Sequence, residues 1–429
     1  MLAFRKPIIQ FSSIPESWLV RKLKYSVTTT NGFAFSSDDY VEDGVSLIRI
    51  SDVLPNGAVD EGNAKKLPFE YSEKFKEYVV SKKDILVAMT GATIGKSGIY
   101  NSNKKSLLNQ RVCKLVAKYL NQNFLWYVLN SDLYLKHIDI TSFGGAQPNI
   151  SDKELLDFLS LQPPLENQQK IADFLDFKTA QIDALIAKKE VLLLKLHEKR
   201  SALITQAITK GINPNLPMKP SGVEWLGDVP EHWHIKRLKF AVDLINQKVG
   251  AESSDLDYIG LEHIESWTGR RIQDENAFSD GAVSHFRNGD VLFGKLRPYL
   301  AKVYLANHSG LVSTEALVLR ATKEVYSGFL RYYMVARDFI NIVNSSTFGS
   351  KMPRASWDFI GNLPILLPDY DEQVLIANFI DSKMITIDTQ KKKIEDVISK
   401  LVEYRSSLIT NAVTGKIDVR DFDLNKTNT

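Results

Sequence analysis

Two stretches decide how this chain folds: Pro163-Pro-Leu-Glu-Asn-Gln168-Gln-Lys-Ile171-Ala-Asp-Phe174 and, 205 residues later, Pro368-Asp-Tyr-Asp-Glu-Gln373-Val-Leu-Ile376-Ala-Asn-Phe379. The match runs on without a gap. Asp176 and Lys178 answer to Asp381 and Lys383, Ile182-Asp183 to Ile387-Asp388, and Lys195-Leu196 to Lys400-Leu401. Arg200-Ser201, Leu203-Ile204-Thr205, Ala207 and Thr209 answer to Arg405-Ser406, Leu408-Ile409-Thr410, Ala412 and Thr414. Self-similarity at a fixed spacing marks a duplicated structural unit. The repeated segment reads as helix. Pro164 lacks the N–H that a helix start would leave orphaned, and few breakers follow until Gly211 and Pro214. Roughly 44 helical residues at about 1.5 Å each extend about 66 Å, longer than single globular helices usually run.

The apolar residues of each copy recur every seven positions. One seam is Leu175, Ile182, Lys189, Leu196 and Leu203, and its counterpart is Ile380, Ile387, Ile394, Leu401 and Leu408. Alternate seam positions are Ile171, Leu185 and Leu192, then Ile376, Val397 and Tyr404. Heptads of this kind predict a coiled-coil seam between two helices. Lys189, Lys178, Lys383 and Gln390 interrupt it, so the seam is expected to be partly solvated or to meet another subunit.

Further landmarks recur upstream of each helix in the same order. Pro15-Glu16-x-Trp18 followed by Leu23-Lys24-Tyr25 echoes Pro230-Glu231-x-Trp233 followed by Leu238-Lys239-Phe240. Asp84-Ile85-Leu86 echoes Asp290-Val291-Leu292, and Phe143-Gly144, Pro148 and Ser151 echo Phe348-Gly349, Pro353 and Ser356. Short apolar runs (Val45 to Ile50, Ile85 to Met89, Val112 to Val116, Val291 to Phe293, Leu317 to Arg320) between Gly, Asn, Asp and Ser turns predict strands, with helices over Phe124 to His137 and Phe329 to Asn344. The expected fold is α+β. Two similar α/β units are joined by two long antiparallel helices in a coiled coil, as a pseudo-twofold internal repeat. The expected boundaries are residues 1–162 and 213–367 for the two units, 163–212 and 368–417 for the helices, and 418–429 for a tail.

Composition sets outer limits. The chain has 429 residues, 44% of them hydrophobic and 24% charged, as ordinary folded domains do. Lys and Arg number 54 against 51 Asp and Glu, a net charge of +3, so any polyanion site must be a local patch. A single cysteine, Cys113, supports neither a disulfide framework nor a Cys-rich metal site. The first residues do not read as a signal peptide and no run of about 18 apolar residues occurs, so a cytoplasmic protein is expected. The seven histidines show no ligand spacing, and His232 and His234 flank Trp233, which favours a structural role. Asp369, Asp371 and Glu372 suit the positive start of the second helix.

One segment hints at phosphate chemistry: Gly91-Ala-Thr-Ile-Gly95-Lys96-Ser97. A P-loop needs four residues between its glycines and here there are three, while Phe293-Gly294-Lys295-Leu296-Arg297 stands in the other half without the motif. Nucleotide hydrolysis is therefore not expected. A loop holding Thr90, Thr93, Lys96 and Ser97 still suits a DNA phosphate. Other polar clusters fall at matching places: Gln110 and Arg111, then Gln147 and Asn149 in the first half; Lys295, Arg297, Tyr299 and Lys302, then Ser350, Lys351 and Arg354 in the second. Arg, Lys, Gln and Asn are the side chains able to read base edges. Each alone is more often a solvated surface group, but their recurrence marks them as candidate DNA contacts. No methyltransferase or helicase signature is found.

The stretch from Lys210-Gly-Ile-Asn-Pro through Met218-Lys-Pro-Ser-Gly-Val-Glu-Trp225 to Pro230-Glu-His-Trp233 resembles the central junction of type I restriction enzyme specificity subunits. So do Gly289-Asp-Val-Leu-Phe-Gly-Lys-Leu-Arg-Pro-Tyr299 and both Pro-x-x-x-x-Gln-x-x-Ile-Ala-x-Phe helix starts. The resemblance covers nearly the whole chain. It implies two target-recognition domains, each reading one half of a bipartite, asymmetric DNA target. The seam residues (Leu175, Ile182, Leu196, Leu203, Ile380, Ile387, Ile394, Leu401, Leu408) would set the spacer and dock two modification (methyltransferase) subunits. Restriction (motor-nuclease) subunits would join for cleavage. It also implies that this chain is not itself an enzyme and binds no cofactor, with S-adenosylmethionine, ATP and Mg held by the partners. A helix of about 66 Å would span at most about 19 base pairs. The competing reading is a coiled-coil scaffold with no role in DNA recognition.

Overall fold

The computed structural model describes residues 16–143, 148–250, 256–272, 282–349 and 351–422. The chain divides into two compact units: residues 1–189 with 396–429, and residues 190–395. The two long helices span Leu165–Lys210 and Tyr370–Val413. Each is divided between the units, so each unit holds part of both.

Within unit 1 the helix segments run antiparallel. Phe174 meets Phe422 at 5.2 Å between rings, while Asp183 accepts both the Nε and an Nη of Arg405 at 2.8 and 3.2 Å. Unit 2 repeats the arrangement with the helices exchanged: Arg200 donates to Asp388 at 2.9 Å. These are the Asp183/Asp388 and Arg200/Arg405 positions of the duplicated stretch, and the duplication reflects their reciprocal pairing. The seam residues Leu175, Ile182 and Leu408 are buried in unit 1 with Leu401 packed against them; Leu196, Ile380 and Ile387 are buried in unit 2 with Leu203 and Ile394 packed against them. They face the cores of their own units. Burial of this kind suits the spacer part of the role expected of them, and Leu203, Ile394 and Leu401 keep part of their surface exposed. The alternate positions divide: Ile171 and Ile376 are buried, whereas Leu185, Leu192, Val397 and Tyr404 are exposed.

A buried glutamine ties each helix to its unit. Gln373, fully buried, donates to the carbonyls of Pro368 and Glu324 at 2.9 Å and accepts from the Tyr326 N–H at 2.9 Å. Gln168 does the same with the Pro163 carbonyl (2.7 Å) and the Asn121 N–H (2.8 Å). Farther along each helix, the hydroxyls of Tyr127 and Tyr332 donate to Asp176 and Asp381 at 2.6 and 2.5 Å. At the far end of each helix a left-handed glycine stops the turn. Gly211 (φ 75°) lies under Trp233 and Gly415 (φ 74°) under Trp18, so the Pro-Glu-x-Trp landmark seals a helix end.

Among the described residues each unit holds two four-stranded sheets. In unit 1 one sheet runs Val27–Asn31, Val112–Ala117, Ile85–Ala88, Ser97–Ile99, and the other Lys65–Leu67, Val45–Ile48, Ser106–Leu108, Val79–Val80. Unit 2 has the same first order, Val242–Ile245, Ala316–Ala321, Val291–Gly294, Val303–Leu305, and a second sheet Lys248–Gly250, Ala282–Phe286, Gly310–Ser313, Tyr258–Ile259. All neighbours are antiparallel except Val45–Ile48 with Ser106–Leu108 and Tyr258–Ile259 with Gly310–Ser313. The strand before each long helix pairs with the strand after the landmark tryptophan: Leu159–Gln162 with Leu19–Lys22, and Pro364–Leu367 with His234–Arg237. The two expected shorter helices are each split. Gln122–Leu129 and Asp132–Thr141 part where Ser131 caps the second by accepting from the Tyr134 N–H, and Ser327–Val335 and Arg337–Ser345 part at Ala336, whose backbone is extended. No helix among the described residues is long and apolar enough to cross a membrane.

Replacing Gln373 by Ala would strand one N–H and two carbonyls in a dry helix start. The expected loss is about 3 kcal/mol of stability, read as a lowered urea midpoint; an unchanged midpoint would show that the clasp is dispensable.

Candidate nucleic-acid interface

The first sheet of each unit carries the same backbone frame, which in unit 1 borders an open cleft. In unit 1 the backbone leaves the strand Ile85–Ala88 at Met89, whose N–H donates to the Arg111 carbonyl at 3.0 Å. The segment returning from Phe143 then crosses this edge. Asn149 is bridged to both Thr90 and Phe143, the Gly91 N–H donates to Pro148 at 2.8 Å, and the Ile150 N–H donates to Met89 at 3.0 Å. Asn31, Thr90, Gln110, Arg111, Asn149 and Asp152 line the resulting open cleft, of about 520 Å³.

Unit 2 reproduces this frame bond for bond. The Lys295 N–H donates to Glu315 at 2.9 Å, Arg354 is bridged to Leu296 and Phe348, the Arg297 N–H donates to Pro353 at 2.7 Å, and the Ala355 N–H donates to Lys295 at 3.0 Å. Farther along, the Ala88 N–H bonds to Lys96 and the Gly294 N–H to Lys302, both at 2.9 Å. These bonds equate Gly91 with Arg297, Gly95 with Ala301, Lys96 with Lys302, Arg111 with Glu315 and Asn149 with Arg354. The glycine loop therefore does have a counterpart in the second half, contrary to the expectation from sequence.

The backbone at both loop positions is left-handed: φ is 72° at Gly91 and 76° at Gly95, 51° at Arg297 and 47° at Ala301. Glycine takes this conformation freely, whereas another residue is strained there by about 1–2 kcal/mol. Unit 2 thus holds an exposed arginine at a strained turn where unit 1 has glycine. Strain of this kind clusters at functional sites.

The electrostatics of the clefts differ. Arg354 donates from Nε to Glu315 Oε2 at 3.0 Å and from Nη2 to Oε1 at 3.2 Å, and this pairing holds its guanidinium above the ordinary value. In unit 1 the corresponding Arg111 and Asn149 make no side-chain bond to each other. Asn149 Oδ1 accepts from the Ile150 N–H at 2.9 Å, and the residue is exposed. Thr90 Oγ1 is buried and has no hydrogen-bond partner among the described residues.

The sequence candidates sort accordingly. Gln110, Arg111 and Asn149 come together in the unit 1 cleft, and Lys295, Arg297 and Arg354 gather on the equivalent frame of unit 2. Tyr299 and Lys351 are exposed and Lys96 is half-buried. Three are used internally. Ser97 is buried and accepts from Asn130 at 2.8 Å, the Thr93 hydroxyl donates to the Thr90 carbonyl, and Lys302 Nζ donates to the Leu261 carbonyl at 2.6 Å, where burial lowers its pKa. Gln147 and Ser350 lie outside the described residues. Glu315 and Asn31 carry no distinguishing motif and only strand register reveals them, while Thr90, named with the glycine loop, joins the unit 1 cleft. The structural part expected for His232 has a partner, since its ring bonds Glu372 at 2.8 Å beside Trp233.

The sequence matches the type I restriction modification DNA specificity domain twice, over residues 15–194 and 244–399. The chain belongs to that family. Among its relatives are the specificity subunits of two Escherichia coli type I restriction enzymes. That of EcoDI is 23% identical over 72% of this chain and 73% of its own length, and that of EcoKI is 22% identical over 94% of this chain and 90% of its own. The Escherichia coli EcoBI specificity subunit is 36% identical over 46% of this chain and 40% of its own length. A solved chain from work on complex assembly and conformational transition of the type I R-M system shares the fold, with a TM-score of 0.64 and 15% identity over 94% of this chain and all of that one. The two matched specificity domains carry the two copies of the frame.

Replacing Arg297 by Gly in the second specificity domain relieves the left-handed strain. We expect stability to rise by about 1 kcal/mol; a fall in the denaturation midpoint would mean that side-chain contacts, not function, hold the arginine there.

Proposed function

We propose that this chain is the DNA-recognition subunit of a type I restriction-modification assembly, each unit reading one half of a bipartite, asymmetric duplex target. The observation that carries this reading is the single cleft frame built twice with different polar side chains. A shared frame suits one kind of task done twice; different side chains suit different base edges. A coiled-coil scaffold would have no use for an exposed arginine at a strained turn.

In this reading the chain contributes recognition alone. Methyl transfer and cleavage, with S-adenosylmethionine, ATP and Mg, belong to the modification and motor-nuclease subunits, and the chain works beside cytoplasmic DNA. Its net charge of +3 suits weak binding to phosphates by the isolated chain, with tight binding reserved for the assembly. Modification subunits would dock on exposed apolar side chains of the long helices, such as Leu192 and Leu194 in one unit and Val402 and Tyr404 in the other.

Co-expression with its modification subunits in a host lacking them, followed by mapping of methylated adenines, tests the assignment. The expected product is one split, asymmetric motif. Exchanging residues 1–162 for those of a relative should alter one half of it; a change in both halves, or in neither, overturns the two-reader arrangement. In the same strain, Leu194→Asp is expected to abolish co-purification of a modification subunit while shifting stability by no more than about 0.5 kcal/mol, as exposed substitutions do. Undiminished co-purification would place the docking surface elsewhere.

A further inference from the structure

The two frames share their backbone bonds and differ in the side chains that they carry. Building on the DNA-recognition reading, we propose that positions 91/297, 111/315 and 149/354 are the specificity-determining set, and that Arg354, buttressed by Glu315, reads a guanine in the half-site of unit 2.

Three observations carry the assignment. First, the backbone of both clefts is held by the same bonds to Pro148 or Pro353 and to Met89 or Lys295, so these side chains occupy equivalent places on one frame. Their identities nevertheless differ in every case: Gly91, Arg111, Asn149 against Arg297, Glu315, Arg354. A frame preserved around side chains that change in charge is what discrimination between two targets requires.

Second, the geometry of the Arg354–Glu315 pair selects a base rather than a phosphate. The carboxylate grips the Nε–Nη2 edge of the guanidinium at 3.0 and 3.2 Å. Among the described residues nothing bonds the two parallel N–H groups on the Nη1–Nη2 edge, the fork that matches guanine O6 and N7. Glu315 also cancels the positive charge, so the pair attracts a phosphate weakly and the carboxylate repels one. A neutral acceptor edge loses nothing by this. With both its oxygens on Arg354, Glu315 acts as a positioning residue.

Third, unit 1 has no such buttress. Arg111 stands where Glu315 stands, and Asn149, exposed, stands where Arg354 stands, with its Oδ1 accepting from the Ile150 N–H. The matching step of the other half-site therefore calls for a different base. A Cβ built at Gly91 meets nothing within 4 Å, so an arginine there would carry left-handed strain like that of Arg297 and no clash at its Cβ.

The test uses the full chain assembled with its modification subunits and a library of duplexes randomised on both sides of a spacer, sequenced after selection. If the wild-type complex enriches no split motif, the recognition reading itself fails. Given such a motif, Arg354→Gln should lower the preference for guanine about tenfold at one position of one half-site and leave the other half unchanged. Substituting 7-deazaguanine there should weaken wild-type binding and leave the variant indifferent. Glu315→Gln should relax the same position and steepen the salt dependence of binding to unselected duplex, since the arginine is no longer neutralised. A buttress of purely structural importance would leave that salt slope unmoved. The gain-of-function arm grafts Gly91→Arg, Arg111→Glu and Asn149→Arg together, which should import a guanine preference into the half-site of unit 1. An unaltered motif in the folded Arg354→Gln complex, or an equal loss on all sequences, makes Arg354 a phosphate contact and overturns the proposal. If that variant does not fold, a graft that leaves the unit 1 half-site unchanged overturns it instead.

Discussion

A helix of 46 residues presents more apolar face than one small domain can cover, and most helical stability in water comes from covering such a face. Here each long helix is divided between two units, and each unit takes one segment from each helix to complete its core. Leu175 and Ile182 meet Leu408 in one core; Leu196 meets Ile380 and Ile387 in the other. The fold of either unit therefore depends on residues roughly two hundred positions away in the chain. The reciprocal ion pairs Asp183–Arg405 and Arg200–Asp388 and the twin glutamine clasps reflect the same arrangement. Segments bound in this way can change little, which is why the repeated helices resemble each other more than the units they serve.

The clefts obey the opposite rule. Main-chain hydrogen bonds hold their shape, so the side chains that project from them can vary without disturbing it. The bridge between Thr90 and Asn149 needs only the backbone of Asn149, and the corresponding bridge between Leu296 and Arg354 only that of Arg354. Such a division of labour lets one architecture present an open arginine in one unit and a carboxylate-bound arginine in the other.

Legibility from the sequence divided along the same line. Spacing and periodicity exposed the helices, their duplication and the heptad seam, because those features depend on apolar residues recurring along one chain. Gln110, Arg111, Asn149, Arg297 and Arg354 stood out as polar residues at matching places. Their pairings did not. Glu315 is distant in sequence from Arg354 and carries no motif, Ser97 and Lys302 look exposed until the neighbouring strands and loops are placed around them, and Gly91 shows no likeness to Arg297 as a letter. The alternate heptad positions misled for a related reason. Leu185, Leu192, Val397 and Tyr404 keep the helical period, but whether a period-compatible face is covered depends on what lies opposite.

Sequence alone established that the chain is a duplication, that its repeated part is a pair of long helices, and that it resembles one family of DNA-recognition subunits. These are properties of local pattern, readable wherever a periodicity or a motif lies within one continuous stretch. Three-dimensional packing settled that the seam faces inward, that the glycine loop has a strained arginine as its twin, and that Arg354 is bound to a carboxylate while Asn149 accepts from the Ile150 N–H. Each of those depends on strand register and long-range contact, in which residues far apart in the chain are brought within hydrogen-bonding distance.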